Sequence, residues 1–453
     1  MSLTGLAWLL LFFGLMVASL RRPVYACCAY LMTVLANPMF WWWGTGVISS
    51  ITIRWSLLGA ALFLIVLLTQ WSKAPALTKS GKKYATLLVF YAVNAFVVHQ
   101  LFAANPVRSW ESWDMLWKSA LLSILIYFSI QTIEDLQIFL TAIVIGCGYV
   151  GYEVVVNDAG TFMGGRLEGI NFPAAQGSNA VAAVMSMALP LVGYFIVCGP
   201  KTWHRVLAFL SAPLILDTIF RCNSRGAYLG IIATGIWLLY VSKGRVRIRA
   251  AKVLAGGAIA VLLLANNEAI LERFVSIFVE SSERDGAASE RILYWTSALQ
   301  MISDYPLGSG GEAAFRSERG LQYILHFRPN REYRSVHNGF LDIAAGWGIQ
   351  GFAIYFFIIA VPSIALWRAT RVYTRLGYES DAFLGAAIQA MLIGQLVCTV
   401  FTNVLDGEWY LWITACSLAY ARLASLDADI ETELEEEADT DFEPVPEEPV
   451  VAI

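Results

Sequence analysis

Apolar runs of helical length, separated by short polar breaks, fill nearly the whole chain. They fall at 5–20, 24–40, 55–70, 84–104, 115–130, 136–156, 178–198, 206–220, 226–242, 250–266, 339–366, 383–404 and 409–424. Most are long enough to cross a hydrocarbon core of about 30 Å, so the pattern predicts an all-α polytopic bundle of about 12–13 transmembrane helices. The second run ends in Asn37-Pro38 and Trp41-Trp42-Trp43, which reads as an interfacial aromatic belt closing a short or tilted helix.

One long polar excursion, 267–338, breaks the series. Within it, Ile292, Trp295, Ala298, Leu299 and Ile302 recur at helical spacing up to Pro306, which predicts an amphipathic helix lying at the membrane surface. Leu307-Gly308-Ser309-Gly310-Gly311 then predicts a tight turn.

Composition removes the prior of several soluble domains. The chain is 58% hydrophobic and only 15% charged, with a mean hydropathy of +0.60. The net charge of -4 comes from an acidic tail that hides a neutral to basic body, and no nucleic-acid partner is expected. Three segments are predicted: N-terminal transmembrane helices over 1–156, a transmembrane core over 157–426 that includes the loop 267–338, and a disordered acidic tail over 427–453. The first apolar run has neither a basic start nor a small-residue cleavage site, so it is expected to be retained as a helix.

Short loops place Lys and Arg on the cytoplasmic side. Arg21 and Arg22, Lys73 to Lys83, Lys201 and Arg205, Lys243 to Lys252, and Arg368 to Arg375 all fall on alternate loops. The complementary segments 105–114, 157–177, 221–225, 267–338 and 404–408 are then external.

The external loop 267–338 nevertheless holds eight arginines and no lysine, beside ten acidic residues that offer them ion pairs. After Arg316 basic residues outnumber acidic ones, so that group is expected to keep guanidinium capacity for a ligand. Arginine is the better bidentate fork for phosphate and carboxylate oxygens. Arg221 follows Asp217 by one helical turn and has an ion-pair reading as well as a ligand reading. Arg225 has no such neighbour in sequence; Asn223 or Ser224 is placed to cap the next helix, whose N-terminus adds to an anion site. Arg166 sits in a Gly-rich segment ahead of Asn179, itself placed to cap a helix.

Of four histidines, His99 lies within a span, His204 in a cytoplasmic loop and His326 in mid-linker. His337 precedes a long apolar run on the external side, between Arg334 and Asn338. An imidazole accepts a proton near neutral pH, so His337 is a candidate general base, beside the plainer reading of an interfacial or capping histidine. Six of the seven cysteines lie in or against apolar runs, which gives neither a disulfide framework nor metal-ligand spacing. The Asp-x-Asp matches at 427–429 and 439–441 belong to an acidic run, and no metal or cofactor is expected.

The residues resemble the O-antigen ligase and O-antigen polymerase superfamily of bacterial inner-membrane glycosyltransferases. The resemblance rests on Arg166-x-x-Gly169, Asn179-Ala180, Ser224-Arg225-Gly226, Arg291-x-x-x-Trp295, Asp304-x-Pro306-Leu307-Gly308-x-Gly310, His337-Asn338-x-x-Leu341 and Gly346-x-Gly348-x-x-Gly351, in that order. Arg22-Pro23, Asn37-Pro38 and the Trp-rich turn are similar to the exosortase-associated O-glycosylation ligase subgroup. The family's usual Pro-Asn is here Ser178-Asn179.

The resemblance implies a GT-C-like bundle that moves a glycan from a polyprenyl-diphosphate carrier to an acceptor glycolipid, glycan or protein at the external face, with inversion and without metal. It implies His337 as base and Arg225 and Arg221 as diphosphate contacts, with Arg166, Arg291, Arg334 and Asn338 in supporting binding roles. A polymerase acting on a second lipid-linked glycan remains an alternative, as does a non-enzymatic transporter or flippase of an anionic amphiphile.

Overall fold

The computed structural model describes residues 2–44, 54–163, 165–173, 175–264, 286–312, 314–330, 332–403 and 407–440. Arg273, Arg284, Arg331 and the acidic residues over 268–285, expected to bind a ligand or pair with one another, lie outside the described residues. Each expected span has a helix: α1 (Leu3–Ser19), α2 (Val24–Leu35), α3 (Trp55–Thr69), α4 (Lys79–Phe102), α5 (Pro106–Ser129), α6 (Ile133–Val155), α7 (Ser178–Cys198), α8 (Thr202–Cys222), α9 (Arg225–Val241), α10 (Gly244–Leu264), α13 (Gly339–Arg375), α14 (Glu379–Thr399) and α15 (Glu408–Thr440). Two further helices, α11 (Gly286–Asp304) and α12 (Glu318–Leu321), belong to the polar loop. Two short hairpins, β1–β2 (Thr161–Met163 with Arg166–Glu168) and β3–β4 (Asn171–Phe172 with Ala175–Gln176), are the sheet among the described residues. The protein is an all-α polytopic membrane bundle, and among the described residues five helices are individually long and apolar enough to cross a bilayer.

Ion pairs mark one end of the bundle. Arg22 binds Glu134 at 2.9 Å and Asp135 at 2.6 Å, Lys201 also binds Glu134, and Arg249 reaches Glu379 at 3.1 Å. Arg22 and Lys201, from two of the basic inter-helix segments, thus meet on Glu134 at this end. The polar loop, both hairpins and the starts of α7, α9 and α13 lie at the other.

Several boundaries differ from the sequence expectation, each for a local reason. Residues 105–114 are not a loop: Pro106 opens α5 at a position that needs no amide donor, and the Asn105 side chain accepts the Arg108 amide at 3.3 Å. The second run ends as helix at Leu35. Trp41 and Trp43 are buried, while Trp42, which donates its indole N–H to Glu153 at 3.0 Å, stays exposed with Met39 and Phe40. Of the tail expected to be disordered over 427–453, residues 427–440 continue α15 as helix, and 441–453 lie outside the described residues. Its Glu, Ala and Leu residues are good helix formers, and Tyr373 anchors Asp427 at 2.7 Å. In α11 the buried face is Tyr294, Ser297, Ala298 and Met301, while Ile292 and Leu299 are exposed. This helix packs on a small core of its own loop, with Phe315, Leu321, Ile324, Val336 and Ala345.

The largest departure is in α13, expected as one continuous span from 339. Gly348 is non-helical, with φ 79 and ψ 170, and divides a short leading segment from the long helix. The turn after α11 fills the break. Ser309 and Gly310 donate their amides to Gly346 O at 3.1 and 2.9 Å, and Ile349 donates to Pro306 O at 2.9 Å. Backbone groups freed by the kink thus find partners in the glycine-rich turn. Gly308 has φ 99, and a Cβ there would meet Gly346 O at 2.5 Å. Gly308→Ala is therefore expected to cost at least about 1–2 kcal/mol from the left-handed backbone alone, and the clash adds to it. A purified G308A protein should melt below wild type in a thermal unfolding assay; an unchanged transition would contradict this docking.

Candidate active site

His337 lies just ahead of α13, half-buried, with a left-handed backbone at φ 56. A non-glycine residue at positive φ is uncommon and needs support from its surroundings. Support comes from Asn338, whose side-chain oxygen accepts the Phe340 and Leu341 amides at 3.0 and 3.2 Å and caps α13. The Tyr294 ring stands edge-on to the imidazole, centroids 6.1 Å apart. Asn338 is buried and its oxygen is committed to the cap.

Burial first, and then the neighbouring Arg291, Arg316 and Arg334 guanidiniums, together bring the His337 pKa down to about 4 against the opposing pull of Glu290. The imidazole is therefore neutral at pH 7 and holds a free lone pair. If it serves as a base, activity is lost as pH falls through this pKa. The acid limb of kcat/KM is expected near pH 4, and Arg334→Gln, which removes one repelling charge, should move it to higher pH. A pH–rate profile of the two proteins checks the sign; a downward shift would contradict it.

The arginines around His337 are arranged by carboxylates. Arg316 pairs with Glu312 at 2.6 Å, and Glu312 also meets Arg108 at 3.3 Å. Arg334 pairs with Glu332, and Arg328 meets Glu290 at 2.6 Å. The expectation that arginines beyond Arg316 escape such pairing is thus corrected for Arg328 and Arg334. The acids that satisfy them lie close in the fold though sparse in the sequence. Arg316, one of the three guanidiniums acting on His337, was not singled out from sequence; its place in the Arg-rich linker was the signal.

A second group forms where α7 and α9 begin. Arg166 donates to Ser178 Oγ at 2.6 Å, to Asn179 Oδ1 at 2.8 Å and to Cys222 O at 3.3 Å. Ser224 Oγ donates to the same Asn179 oxygen at 2.8 Å. Asn179 is therefore not the cap of α7: Gly177 occupies the cap position, and Asn179 ties Arg166 to the turn before α9. Ser224 stands at the α9 N-cap without a side-chain cap bond, because its hydroxyl is used in this tie, and Asn223 takes a left-handed conformation closing α8. Arg166 is thus built into the frame that positions Arg225, the first residue of α9. Arg221 meets Asp217 at 2.5 Å, the ion pair its spacing predicts.

Phe401 joins the two groups. A Cβ on Gly226 would approach the Phe401 Cβ at 2.9 Å, so Phe401 rests on the start of α9 beside Arg225. Its other neighbour is Trp295 of α11, with centroids 6.4 Å apart. Arg291 and Tyr294 precede Trp295 on that helix. Phe401 itself carries no sequence signal beyond its place at the end of a span.

A protein-family model described as O-Antigen ligase matches residues 208–356, the segment holding Arg221, Arg225, Arg291, Arg334, His337 and Asn338. That segment, about a third of the chain, is similar to the O-antigen ligase family. A second model, described as a family of unknown function (DUF5935), matches residues 3–197. No curated protein matches the chain. The O-antigen ligase match carries with it a ligase- or polymerase-type function in the membrane and, in general terms, a lipid-linked glycan and an acceptor as partners.

Proposed function

We propose that the protein transfers a glycan from a polyprenyl-diphosphate carrier to an acceptor hydroxyl on the periplasmic face of a bacterial inner membrane, with His337 as general base. The observation that carries this reading is a neutral, half-buried imidazole beside Arg291, Arg316 and Arg334. The N-terminus of α9, with Arg225, lies across Phe401 from α11.

His337 takes the proton from the acceptor hydroxyl as its oxygen attacks the anomeric carbon. The bond from that carbon to the diphosphate breaks on the opposite side, so configuration inverts. The diphosphate leaves with the electron pair, and guanidinium forks from Arg225 and Arg291, with Arg334 and Arg221 at the margin, take up the growing charge. A diphosphate is a good leaving group once its charge is met in this way, so the step is proposed without metal or cofactor. Donor binding also strengthens the base: a diphosphate among these guanidiniums offsets the repulsion that disfavours the imidazolium.

The basic segments at the opposite end of the bundle support a periplasmic position for the site, because such segments are retained in the cytoplasm. The same chemistry serves a polymerase if the acceptor is a second lipid-linked glycan. The reading is tested with protein in nanodiscs, a polyprenyl-diphosphate oligosaccharide and candidate acceptors. A new glycosidic bond with release of polyprenyl diphosphate is expected. Movement of the donor across the membrane without bond formation would establish a transporter instead.

A further inference from the structure

At the far end of α11 from His337 lies an open cleft of about 350 Å³, between the end of α4 and the turn after α11. Its polar lining is Asp304, Tyr305 and Arg319, and its apolar side includes Phe102 and Ala103. Arg319 lies over the Tyr305 ring, 4.5 Å from the centroid, and one guanidinium nitrogen donates to Phe102 O at 3.2 Å. Among the described residues no carboxylate is within ion-pair distance of Arg319, in contrast to Arg316, Arg328 and Arg334 of the same loop. Asp304 accepts the Tyr323 hydroxyl at 2.6 Å and stays exposed in the lining of the cleft.

We propose that this cleft is a saccharide subsite that binds a carboxylate-bearing sugar of the glycan being transferred or extended. The inference rests on the glycosyl-transfer reading and adds the class of sugar. A half-buried guanidinium held by a ring and a carbonyl is pre-aimed, and its remaining N–H groups match a carboxylate. Asp304 accepts hydrogen bonds from sugar hydroxyls, and Phe102 offers apolar surface to C–H groups. The pairing of one cation with one nearby carboxylate selects a singly charged ligand, because the second charge of a phosphate would face Asp304 without a partner. The volume is in the range of small-ligand sites.

The position fits a sugar remote from the bond being made. Arg291 and Asp304 are separated along α11 by roughly 20 Å at the helical rise per residue. Binding energy collected there orients the chain at His337 without touching the reacting carbon.

The test uses the full-length protein in nanodiscs and saturation-transfer NMR titrations with glucuronate, glucose and glucose 6-phosphate. Wild type should bind glucuronate saturably and more tightly than either other probe. Arg319→Gln should weaken glucuronate at least tenfold with glucose unchanged, Arg319→Lys should fall between, and Asp304→Asn should weaken both sugars. Thermal unfolding of each variant checks that the fold is kept. Glucuronate binding that is absent in wild type, equal in the folded R319Q protein, or weaker than that of glucose 6-phosphate overturns the proposal. His337→Ala should bind glucuronate as wild type does, so failure of transfer and failure of this subsite are separately visible.

Discussion

Replacing His337 with Ala is expected to lower the transfer rate by about 10²–10⁴-fold, the usual contribution of a positioned general base. The loss should appear in kcat, because the imidazole acts on the proton that moves in the transition state. Binding of the donor should change little, since the guanidiniums remain. His337→Gln keeps a polar side chain of similar reach but accepts no proton at neutral pH, and should be as inactive. The left-handed backbone here costs an L-residue about 1–2 kcal/mol, and alanine pays it as histidine does, so the fold should survive. Thermal unfolding together with product formation separates a chemical defect from a structural one. Full activity in H337A would remove the base assignment.

The second large effect is expected at Arg225. Arg225→Gln should reduce transfer by about 10²–10³-fold, as for loss of one fixed donor to a developing oxyanion. Arg225→Lys should recover only part of this, because an ammonium is a point charge without the planar fork. Arg221→Gln is the control: its guanidinium already meets Asp217 one turn back at 2.5 Å. A partly exposed pair of this spacing stabilises a helix by only about 0.3–0.5 kcal/mol, so the stability change should be small. If R225Q and R221Q fell by the same factor, the special placement of Arg225 at the start of α9 would be contradicted.

Much of this arrangement was legible in the sequence because membrane spans and the residues between them obey strong, local rules. Apolar length located the helices, and two basic segments expected on one side, those of Arg22 and Lys201, do meet on Glu134. The pairing of Arg221 with Asp217 followed from spacing alone. What was not legible depends on contacts between distant segments. Asn179 reads as a cap, yet in the fold its oxygen is taken by Arg166 and Ser224. Nothing near position 348 announces that its kink is filled by backbone amides from the turn at 308–310. Arg328 appears unbalanced in its own stretch until Glu290, far back in the sequence, is brought to 2.6 Å. Arg316 and Phe401 were missed for the same reason, since their importance lies in what they approach.

These contacts give the glycine motifs a physical role. The Leu307–Gly311 turn and the Gly346–Gly348 kink lock α11 to the start of α13 through main-chain bonds. Arg291 lies on α11 and His337 just ahead of α13, so this main-chain lock and the packing of Tyr294, Val336 and Ala345 together hold the two elements. Such rigidity is what a base and its anion forks require, because small displacements at a reacting centre cost large factors in rate.

The most direct measurement is a cryo-EM structure of the H337A protein in nanodiscs with a polyprenyl-diphosphate oligosaccharide bound. Density for the diphosphate is expected between Arg225 and Arg291, with the anomeric carbon directed toward position 337 and the prenyl chain running into the membrane. Diphosphate bound at the opposite end of the bundle, near Arg22 and Lys201, or out of reach of Arg225 would contradict the proposed site.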